Sequence, residues 1–380
     1  MRITFVNRLA GVFWGGGETF DIQVARALIG LGHEVQFVVG RGLWRLNLPM
    51  AEFPATYVRT PYLRWVMYRT DASRKMLLRR IGWRAGLLDI DMFERMAFKT
   101  IANNDIGRNT DIFQINGLPR LGAWIEESLH KRAVVLWHGP PGPEARCWNE
   151  RCSATLAYGG SVDAVKSNAD PNAVEISIGV DTEICRRISA DGIRSRYEIP
   201  PGSIVFLFVG RFIPIKNLPF LIESFAAALQ QKPHLYLLLV GDGPSKPDLF
   251  QQVSALGVAD RVIFAGRQTG KDLVEHYSAA DVFTLTSTYD NFPFVVLEAM
   301  ACELPVIATC VGGLPKSVDD GRTGLLVESG NVESLKSAML ALASNKDRRR
   351  EMGLRGREKV VHKHSWLETA QQMIRTYERL

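Results

Sequence analysis

The chain has 380 residues, of which 46% are hydrophobic and 23% are charged, and this composition is typical of a soluble globular protein. The length favours two domains, each large enough to bury a hydrophobic core. No apolar run approaches the roughly 20 residues that a membrane-spanning helix needs, and the first residues lack the apolar region of a signal peptide. The five cysteines show no CxxC spacing, which argues against a zinc site or a disulfide framework and favours a cytoplasmic protein.

The formal net charge is +6, and it is unevenly distributed along the chain. Residues 1–180 contain 22 lysines and arginines against 17 acidic residues, whereas the remainder is close to neutral. An excess of this size suits an anionic substrate or an anionic membrane surface, but it identifies neither.

The chain begins with a βαβ pattern. A strand over residues 1–7 and a glycine run at residues 15–17 lead to a helix over residues 19–31 and a second strand over residues 34–39. The glycines would let the backbone approach a ligand closely. The run is not a GxGxxG dinucleotide fingerprint, and taken alone it fits a flexible loop equally well.

A basic stretch from Arg59 to Arg84 contains eight arginines and lysines, one acid and several aromatic residues. Such a stretch could receive an anionic or lipid-linked acceptor, touch a membrane or bind nucleic acid. It also fits a solvated helix face whose aromatic side chains anchor in the core.

His138 follows a strand predicted over residues 133–137. A histidine at the carboxyl end of a buried strand lies at the functional edge of the sheet, where it can donate to a sugar hydroxyl or titrate near neutral pH. A purely structural role is the alternative. The first domain is expected to end at Asp181, and the polar residues 182–203 are expected to form a linker.

A second strand-to-helix loop carries two cations. Residues 204–209 are a continuous apolar run, as in a buried parallel strand, and a helix is predicted over residues 218–229. Arg211 and Lys216 lie between them, where two positive charges could hold a diphosphate. Two solvated loop charges are the alternative.

The segment from Thr284 to Gly313 reads as strand, loop, helix, strand and loop. Asp290 precedes the helix predicted over residues 294–302, and Glu298 lies about one turn into it. These carboxylates could accept hydrogen bonds from sugar hydroxyls, while backbone N–H groups at the helix start donate to other oxygens. Alternatively, Asp290 only caps the helix and Glu298 is solvated.

These motifs resemble those of the retaining glycosyltransferases of family 4. The resemblance rests on an acid followed by seven residues and Glu-Ala-Met-Ala-Cys, then Pro-Val-Ile-Ala and Gly-Gly, over residues 290–313. Gly-Arg-x-x-x-x-Lys-Asn at 210–217, the glycine loop and Gly-Val-Asp at 179–181 support it. The family usually has glycine where this chain has Glu303.

The resemblance implies an α/β protein of GT-B architecture, with two Rossmann-like parallel-sheet domains facing each other across a cleft. We expect an acceptor-side domain at 1–181, the linker at 182–203 and a nucleotide-sugar-binding domain at 204–362. We also expect a terminal helix at 363–380 that returns to the first domain.

The resemblance also implies roles for individual residues. The residues implied in catalysis are Arg211, Lys216, His138 and Asp290. The residues implied in donor binding are Gly16, Gly17, Gly241, Arg267, Asn291, Phe292, Pro293, Phe294 and Glu298. A weaker implication places the acceptor near Glu18, Arg59, Arg64 and Trp65. No cofactor and no metal are expected, and the one Asp-x-Asp pair, Asp89 and Asp91, is interpreted as a chance occurrence on a solvated face.

The expected function is a retaining, metal-independent transfer of a hexose-type sugar from a nucleoside-diphosphate sugar, with UDP favoured. The acceptor would be a hydroxyl of a glycan, a lipid-linked sugar or a small molecule. A nucleotide-sugar epimerase and a non-catalytic sugar-nucleotide-binding protein are the alternatives. No nucleic acid partner is expected, and a peripheral contact with the inner face of a membrane is left open.

Overall fold

The computed structural model describes residues 1–9, 16–42, 52–60, 76–142 and 144–380. These residues divide into two compact units. Unit 1 comprises residues 1–176 and 369–380, and unit 2 comprises residues 177–368. No helix among the described residues is both long enough and apolar enough to cross a membrane.

Unit 1 contains a seven-stranded parallel sheet flanked by helices. Its strands are β1 Arg2–Asn7, β2 Glu34–Gly42, β3 Ala55–Thr60, β4 Ile112–Asn116, β5 Arg132–Trp137, β6 Ala154–Ala157 and β7 Val174–Glu175. Its helices are α1 Gly16–Gly30, α2 Met76–Asn103, α3 Asp105–Asn109, α4 Pro119–Leu129, α5 Ala145–Asn149 and α6 Val162–Asn168, with a short 3₁₀ turn at Gly159–Ser161.

The strand order of unit 1 is β3-β2-β1-β4-β5-β6-β7. The order reverses between β1 and β4, so the loops after these two strands diverge and leave a crevice at the carboxyl edge of the sheet. The core beneath this edge is apolar, because Phe93 of α2 packs with Phe113 of β4 and neither side chain is exposed.

Unit 2 contains a six-stranded parallel sheet. Its strands are β8 Ile204–Val209, β9 Leu235–Val240, β10 Val262–Gly266, β11 Val282–Leu285, β12 Val306–Thr309 and β13 Gly324–Val327. Its helices are α7 Asp191–Arg196, α8 Leu218–Leu229, α9 Lys246–Ala255, α10 Gly270–Ala279, α11 Phe294–Ala301, α12 Leu314–Ser317, α13 Val332–Ser344 and α14 Lys346–Lys363, and α15 Trp366–Tyr377 begins in this unit. Pro214–Lys216 form a 3₁₀ turn.

The strand order of unit 2 is β10-β9-β8-β11-β12-β13, which reverses between β8 and β11. Strands β8 and β9 read as continuous apolar runs because helices cover both faces of a parallel sheet. The expected fold class, with two Rossmann-like parallel-sheet domains, is confirmed.

The expected linker and the end of the expected terminal helix each belong to one of the two units. Residues 182–203, expected as a linker, lie within unit 2, where Arg194 of α7 donates to Asp281 at 2.7 Å and to the carbonyl of Ser203 at 3.1 Å. Residues 369–380 belong to unit 1, and the Tyr377 hydroxyl donates to the buried side chain of Gln114 at 2.6 Å.

Candidate functional site

Two loops meet at the carboxyl edge of unit 2, at the point where the strand order reverses. One loop follows β8 and the other follows β11, and hydrogen bonds join them. The Thr288 N–H donates to the carbonyl of Ile215 at 2.8 Å, and the Thr286 hydroxyl donates to the carbonyl of Lys216 at 3.1 Å. Ligands of open α/β sheets bind at such a switch point.

Lys216 and Asp290 face each other across these loops. The Lys216 Nζ lies 2.5 Å from Asp290 Oδ2, and the Ser287 hydroxyl donates to the same oxygen at 3.1 Å. Both side chains are largely buried, at 18% and 14% exposure. Asp290 is therefore not the cap of α11: the residue at the cap position is Pro293, and no side chain caps that helix end. The capping alternative for Asp290 is wrong.

Arg211 lies in the same loop as Lys216, directly after β8, and its side chain is exposed. The loop is fixed at this point because the Phe212 N–H donates to the carbonyl of Asp242 at 2.9 Å. The structure thus brings Arg211, Lys216 and Asp290 to one edge of unit 2. Their contacts with a diphosphate or a sugar stay predictions.

Glycines in these loops are required by close backbone packing. A Cβ atom at Gly241 would lie 1.8 Å from the carbonyl oxygen of Gly210, and one at Gly312 would lie 2.1 Å from that of Asp290. The Gly313 N–H also donates to the Asp290 carbonyl at 2.8 Å. Close packing is sufficient to explain why residue 241 is a glycine. The predicted contact of Gly241 with the donor stays a prediction.

Glu298 of α11 is held by a tyrosine of the preceding helix. The Tyr277 hydroxyl donates to Glu298 Oε2 at 2.7 Å. Burial raises the pKa of the Glu298 carboxyl, and the hydrogen bond from Tyr277 offsets part of this rise. The interpretation of Glu298 as a solvated helix residue is therefore wrong. Tyr277 was missed by sequence reasoning, although a fully buried tyrosine needs a partner for its hydroxyl.

The residues at the start of α11 pack against the last part of unit 2. The ring of Phe292 lies 5.7 Å from that of His364, and the ring of Phe294 stacks on Trp366 at 5.7 Å. Pro293 is buried at the cap position of α11, next to Asn291 in sequence. These contacts give the predicted donor residues a packing role, and their donor contacts stay predictions.

Arg267 follows β10 at the same edge of unit 2 and is exposed. The preceding residue, Gly266, has a positive φ of 69° and its carbonyl accepts a hydrogen bond from the Gly241 N–H at 2.8 Å. The loops after β8, β9, β10 and β11 are therefore joined into one surface.

In unit 1, His138 lies beside the start of α1. A Cβ atom at Gly17 would meet the His138 ring at 3.3 Å, and His138 Nδ1 lies 2.6 Å from the Tyr158 hydroxyl. Burial lowers the pKa of His138 to about 4, so the ring is neutral at pH 7. The expectation that His138 titrates near neutral pH is wrong. Its implied contact with a donor sugar stays a prediction.

Asp21 is a buried carboxylate of α1, the helix that also contains Glu18. Asp21 was not singled out by the sequence analysis. The side-chain amides of Asn7 and Asn116, at the ends of β1 and β4, both donate to Asp21 Oδ2. Burial raises the pKa of Asp21 well above its usual value. Asp21 thus ties α1 to the two strands at which the strand order reverses. Glu18 is itself buried at 6% exposure.

Asp89 of the Asp-x-Asp pair does not lie on a solvated face. Asp89 is fully buried and forms an ion pair with Arg8, while Asp91 pairs with Arg95 at 2.9 Å and with Arg120 at 2.8 Å. The interpretation of Asp89 as a solvated residue is wrong, because its carboxylate neutralises a partly buried arginine.

Of the predicted acceptor residues, Arg59 is exposed on the edge strand β3, opposite Arg41 of β2. Arg64 and Trp65, with most of the basic stretch, lie outside the described residues.

Comparison with known proteins matches one segment of the chain to a family model. The model of the family "Glycosyl transferases group 1" matches residues 190–359, which contain the whole loop surface of unit 2. The chain is therefore similar to the glycosyl transferases group 1 family over residues 190–359. The resemblance noted in the sequence is confirmed at this level, whereas the finer assignment to family 4 stays a prediction.

Curated proteins match about half of the chain. The chain is similar to a D-inositol 3-phosphate glycosyltransferase of Saccharomonospora viridis, with 36% identity over 55% of this chain and 51% of the relative. It is also similar to an N-acetyl-alpha-D-glucosaminyl L-malate synthase of Bacillus anthracis, with 32% identity over 52% of this chain and 51% of the relative. The chain thus spans about half the length of the curated relatives that it matches.

The fold extends over the whole chain. The crystal structure of Anabaena Alr3699/HepE in complex with UDP-glucose superposes with a TM-score of 0.78 and covers 100% of both chains at 20% sequence identity. At this identity the likeness concerns the fold alone.

Proposed function

We propose that the chain is a retaining glycosyltransferase that moves a hexose-type sugar from a nucleoside-diphosphate sugar to a hydroxyl group. The observation that carries the proposal is the loop surface of unit 2, where Lys216, Arg211 and Asp290 meet at the switch point of a group 1 segment. Two cations and a carboxylate at one sheet edge suit a diphosphate joined to a hydroxylated ring.

In the proposed reaction, the bond between the anomeric carbon and the diphosphate oxygen breaks while a bond to the acceptor oxygen forms on the same face. The acceptor hydroxyl gives its proton to the departing phosphate oxygen. Arg211 and Lys216 stabilise the negative charge that grows on the diphosphate, and the N-terminus of α11 adds its positive dipole. No side chain acts as a covalent nucleophile.

Asp290 has two tasks in this proposal. It holds the Lys216 ammonium in place, and its remaining oxygen capacity accepts hydrogen bonds from the donor sugar. Glu298 accepts hydrogen bonds from the ribose while Tyr277 fixes the orientation of its carboxylate. UDP-hexoses are the first donors to test, since the sequence resemblance implies them. The proposal includes no metal, because it assigns the stabilisation of the diphosphate to Arg211, Lys216 and the N-terminus of α11.

The test is a thermal-shift screen of UDP-, GDP- and ADP-sugars, with and without EDTA. Binding to the native state raises the melting temperature, so one nucleotide class should stabilise the protein, and EDTA should leave that shift unchanged. Loss of the shift in EDTA would contradict metal independence. Absence of a shift with every nucleotide sugar would contradict the donor site.

Turnover is then measured with the stabilising donor, with and without acceptor mixtures. Product formation with the donor's anomeric configuration, read by NMR, supports retaining transfer. An inverted product would contradict the mechanism. Donor that is converted to another sugar nucleotide without an acceptor would indicate an epimerase instead.

A further inference from the structure

A cavity of about 690 Å³ opens in unit 1. It lies at the carboxyl edge of the sheet, since Pro119 follows β4 and Trp137 ends β5. Leu87 and Leu88 of α2 and Trp148 of α5 complete its apolar wall. The volume is within the range of about 300–1,000 Å³ for small-molecule sites, which are mostly apolar and aromatic.

The wall of the cavity includes two exposed leucine side chains. Leu87 is 46% exposed and Leu88 is 58% exposed, on adjacent positions of α2. A ligand that covers these leucines removes their apolar surface from water, which is favourable. A ligand with an apolar body would therefore gain affinity from this wall.

The polar part of the cavity is an arginine held by carboxylates. The Arg120 guanidinium donates to Glu94 at 2.8 Å and lies 2.8 Å from Asp91, and it sits over the Trp124 ring at 5.1 Å. The positive charge of Arg120 is thus already matched by two negative charges. A phosphate or carboxylate on a ligand would have to compete with them.

The charges that line the cavity, among the described residues, are the two arginines Arg84 and Arg120 and the three acids Asp91, Glu94 and Glu144. Their sum is negative, so they disfavour an anionic ligand. Carboxylates accept hydrogen bonds, so they favour a ligand that donates through hydroxyl groups.

We infer that this cavity receives the acceptor, and that the acceptor is an uncharged molecule with an apolar body and hydroxyl groups. This inference rests on the proposed glycosyl transfer and specifies its second substrate. It separates this chain from relatives whose names contain inositol 3-phosphate and L-malate, since both of those molecules are anionic.

The test compares two probes that differ only at C6 of the sugar ring, where one has a hydroxymethyl group and the other a carboxylate. 4-Nitrophenyl β-D-glucoside is uncharged, and 4-nitrophenyl β-D-glucuronide carries a carboxylate on the same frame. Calorimetry on the full chain without donor should show the glucoside binding at least about tenfold more tightly. Equal or tighter binding of the glucuronide, or binding of neither probe, would overturn the inference.

A matched pair of variants locates the binding. Leu88→Gln changes an exposed leucine of the cavity, and Leu354→Gln changes one that is 47% exposed on α14 in unit 2. The first should weaken glucoside binding at least about fivefold, a change of about 1 kcal/mol, and the second should leave it unchanged. Full affinity in Leu88→Gln would place the probe elsewhere and overturn the inference.

Failure of the inference can be told apart from failure of the proposed function. The thermal shift given by a nucleotide sugar reports on unit 2, and Leu88→Gln should leave it intact. A chain that binds the glucoside but no nucleotide sugar would contradict glycosyl transfer. A chain that binds and turns over the donor but transfers sugar only to anionic acceptors would contradict the acceptor class alone.

Discussion

Lys216 and Asp290 are 74 positions apart in the chain, yet the ammonium nitrogen of one lies 2.5 Å from a carboxylate oxygen of the other. The pair joins the loop after β8 to the loop after β11 at the switch point of unit 2. A lysine ammonium has three donors, so Asp290 can orient Lys216 while other donors remain for a phosphate.

We therefore expect Lys216→Met and Asp290→Asn to behave differently. Loss of the Lys216 charge should weaken both UDP and UDP-glucose binding about tenfold or more, as expected for charge-assisted hydrogen bonds of roughly 1.5–3 kcal/mol. Asp290→Asn removes a negative charge near the diphosphate, so its UDP affinity should equal or exceed that of the wild type. The extra affinity of UDP-glucose over UDP should fall, because the carboxylate no longer accepts hydrogen bonds from the glucose. Calorimetry with both ligands measures the two effects.

Lys271→Met is the control for the lysine substitution, since this side chain is 83% exposed on α10. It should leave both affinities unchanged. Parallel losses of UDP and UDP-glucose affinity in Asp290→Asn would show that the carboxylate only positions Lys216 and does not hold the sugar.

Glu298 combines a structural contact with a proposed ribose contact, and two variants separate them. Glu298→Ala should lower UDP affinity about tenfold, through loss of hydrogen bonds to a charged group. Tyr277→Phe keeps the carboxylate but removes its donor at 2.7 Å. It should lower stability by about 1–3 kcal/mol, as for a buried acceptor that loses its partner, and change UDP affinity much less. Wild-type UDP affinity in Glu298→Ala would contradict the proposed contact between Glu298 and the ribose.

Half-buried His138 should make unit 1 sensitive to acid. Its pKa is about 4 in the folded protein and about 6.5 in an unfolded chain. Between these values the unfolded state binds more protons, so the free energy of unfolding falls as pH drops from about 6.5 to about 4. Urea unfolding at several pH values should show a shallower decline for His138→Gln than for the wild type.

The exposed His362 provides the comparison for this slope. His362→Gln should retain the wild-type decline in unfolding free energy with acid. If His138→Gln and His362→Gln gave the same pH dependence as the wild type, protonation of His138 would not be linked to folding.

The sequence alone predicted the elements whose pattern is local. Strand β8 has the predicted bounds because a strand buried on both faces is a continuous apolar run. Strands β3 and β13 were missed. Each lies at or near a sheet edge, and β13 has only four residues, so neither shows a clear period.

The sequence predicted individual residues of the candidate site but not which of them lie close together. Arg211, Lys216 and Asp290 were singled out by motif, but their approach depends on which strands become neighbours in the sheet. The partners that fix the carboxylates, Tyr277 for Glu298 and two asparagines for Asp21, belong to no motif. Their roles follow from burial, which the sequence pattern does not specify.

Glu303 shows why the family usually has glycine at this position. Its φ is 60°, in the left-handed region, at the end of α11. The Glu303 N–H donates to the carbonyl of Met300 at 2.9 Å, and the Leu304 N–H donates to that of Ala299 at 3.0 Å, which is a Schellman motif. A residue with a Cβ atom adopts this conformation at a cost of about 1–2 kcal/mol.

Glu303→Gly should therefore raise the free energy of unfolding by about 1 kcal/mol without changing donor affinity. Urea unfolding should show a higher midpoint at an unchanged slope. The same substitution at the exposed Glu358, inside α14, should have the opposite sign, because glycine costs about 0.5–1 kcal/mol in a helix interior. Destabilisation by both substitutions would mean that the Glu303 side chain makes a stabilising contact that outweighs the backbone cost.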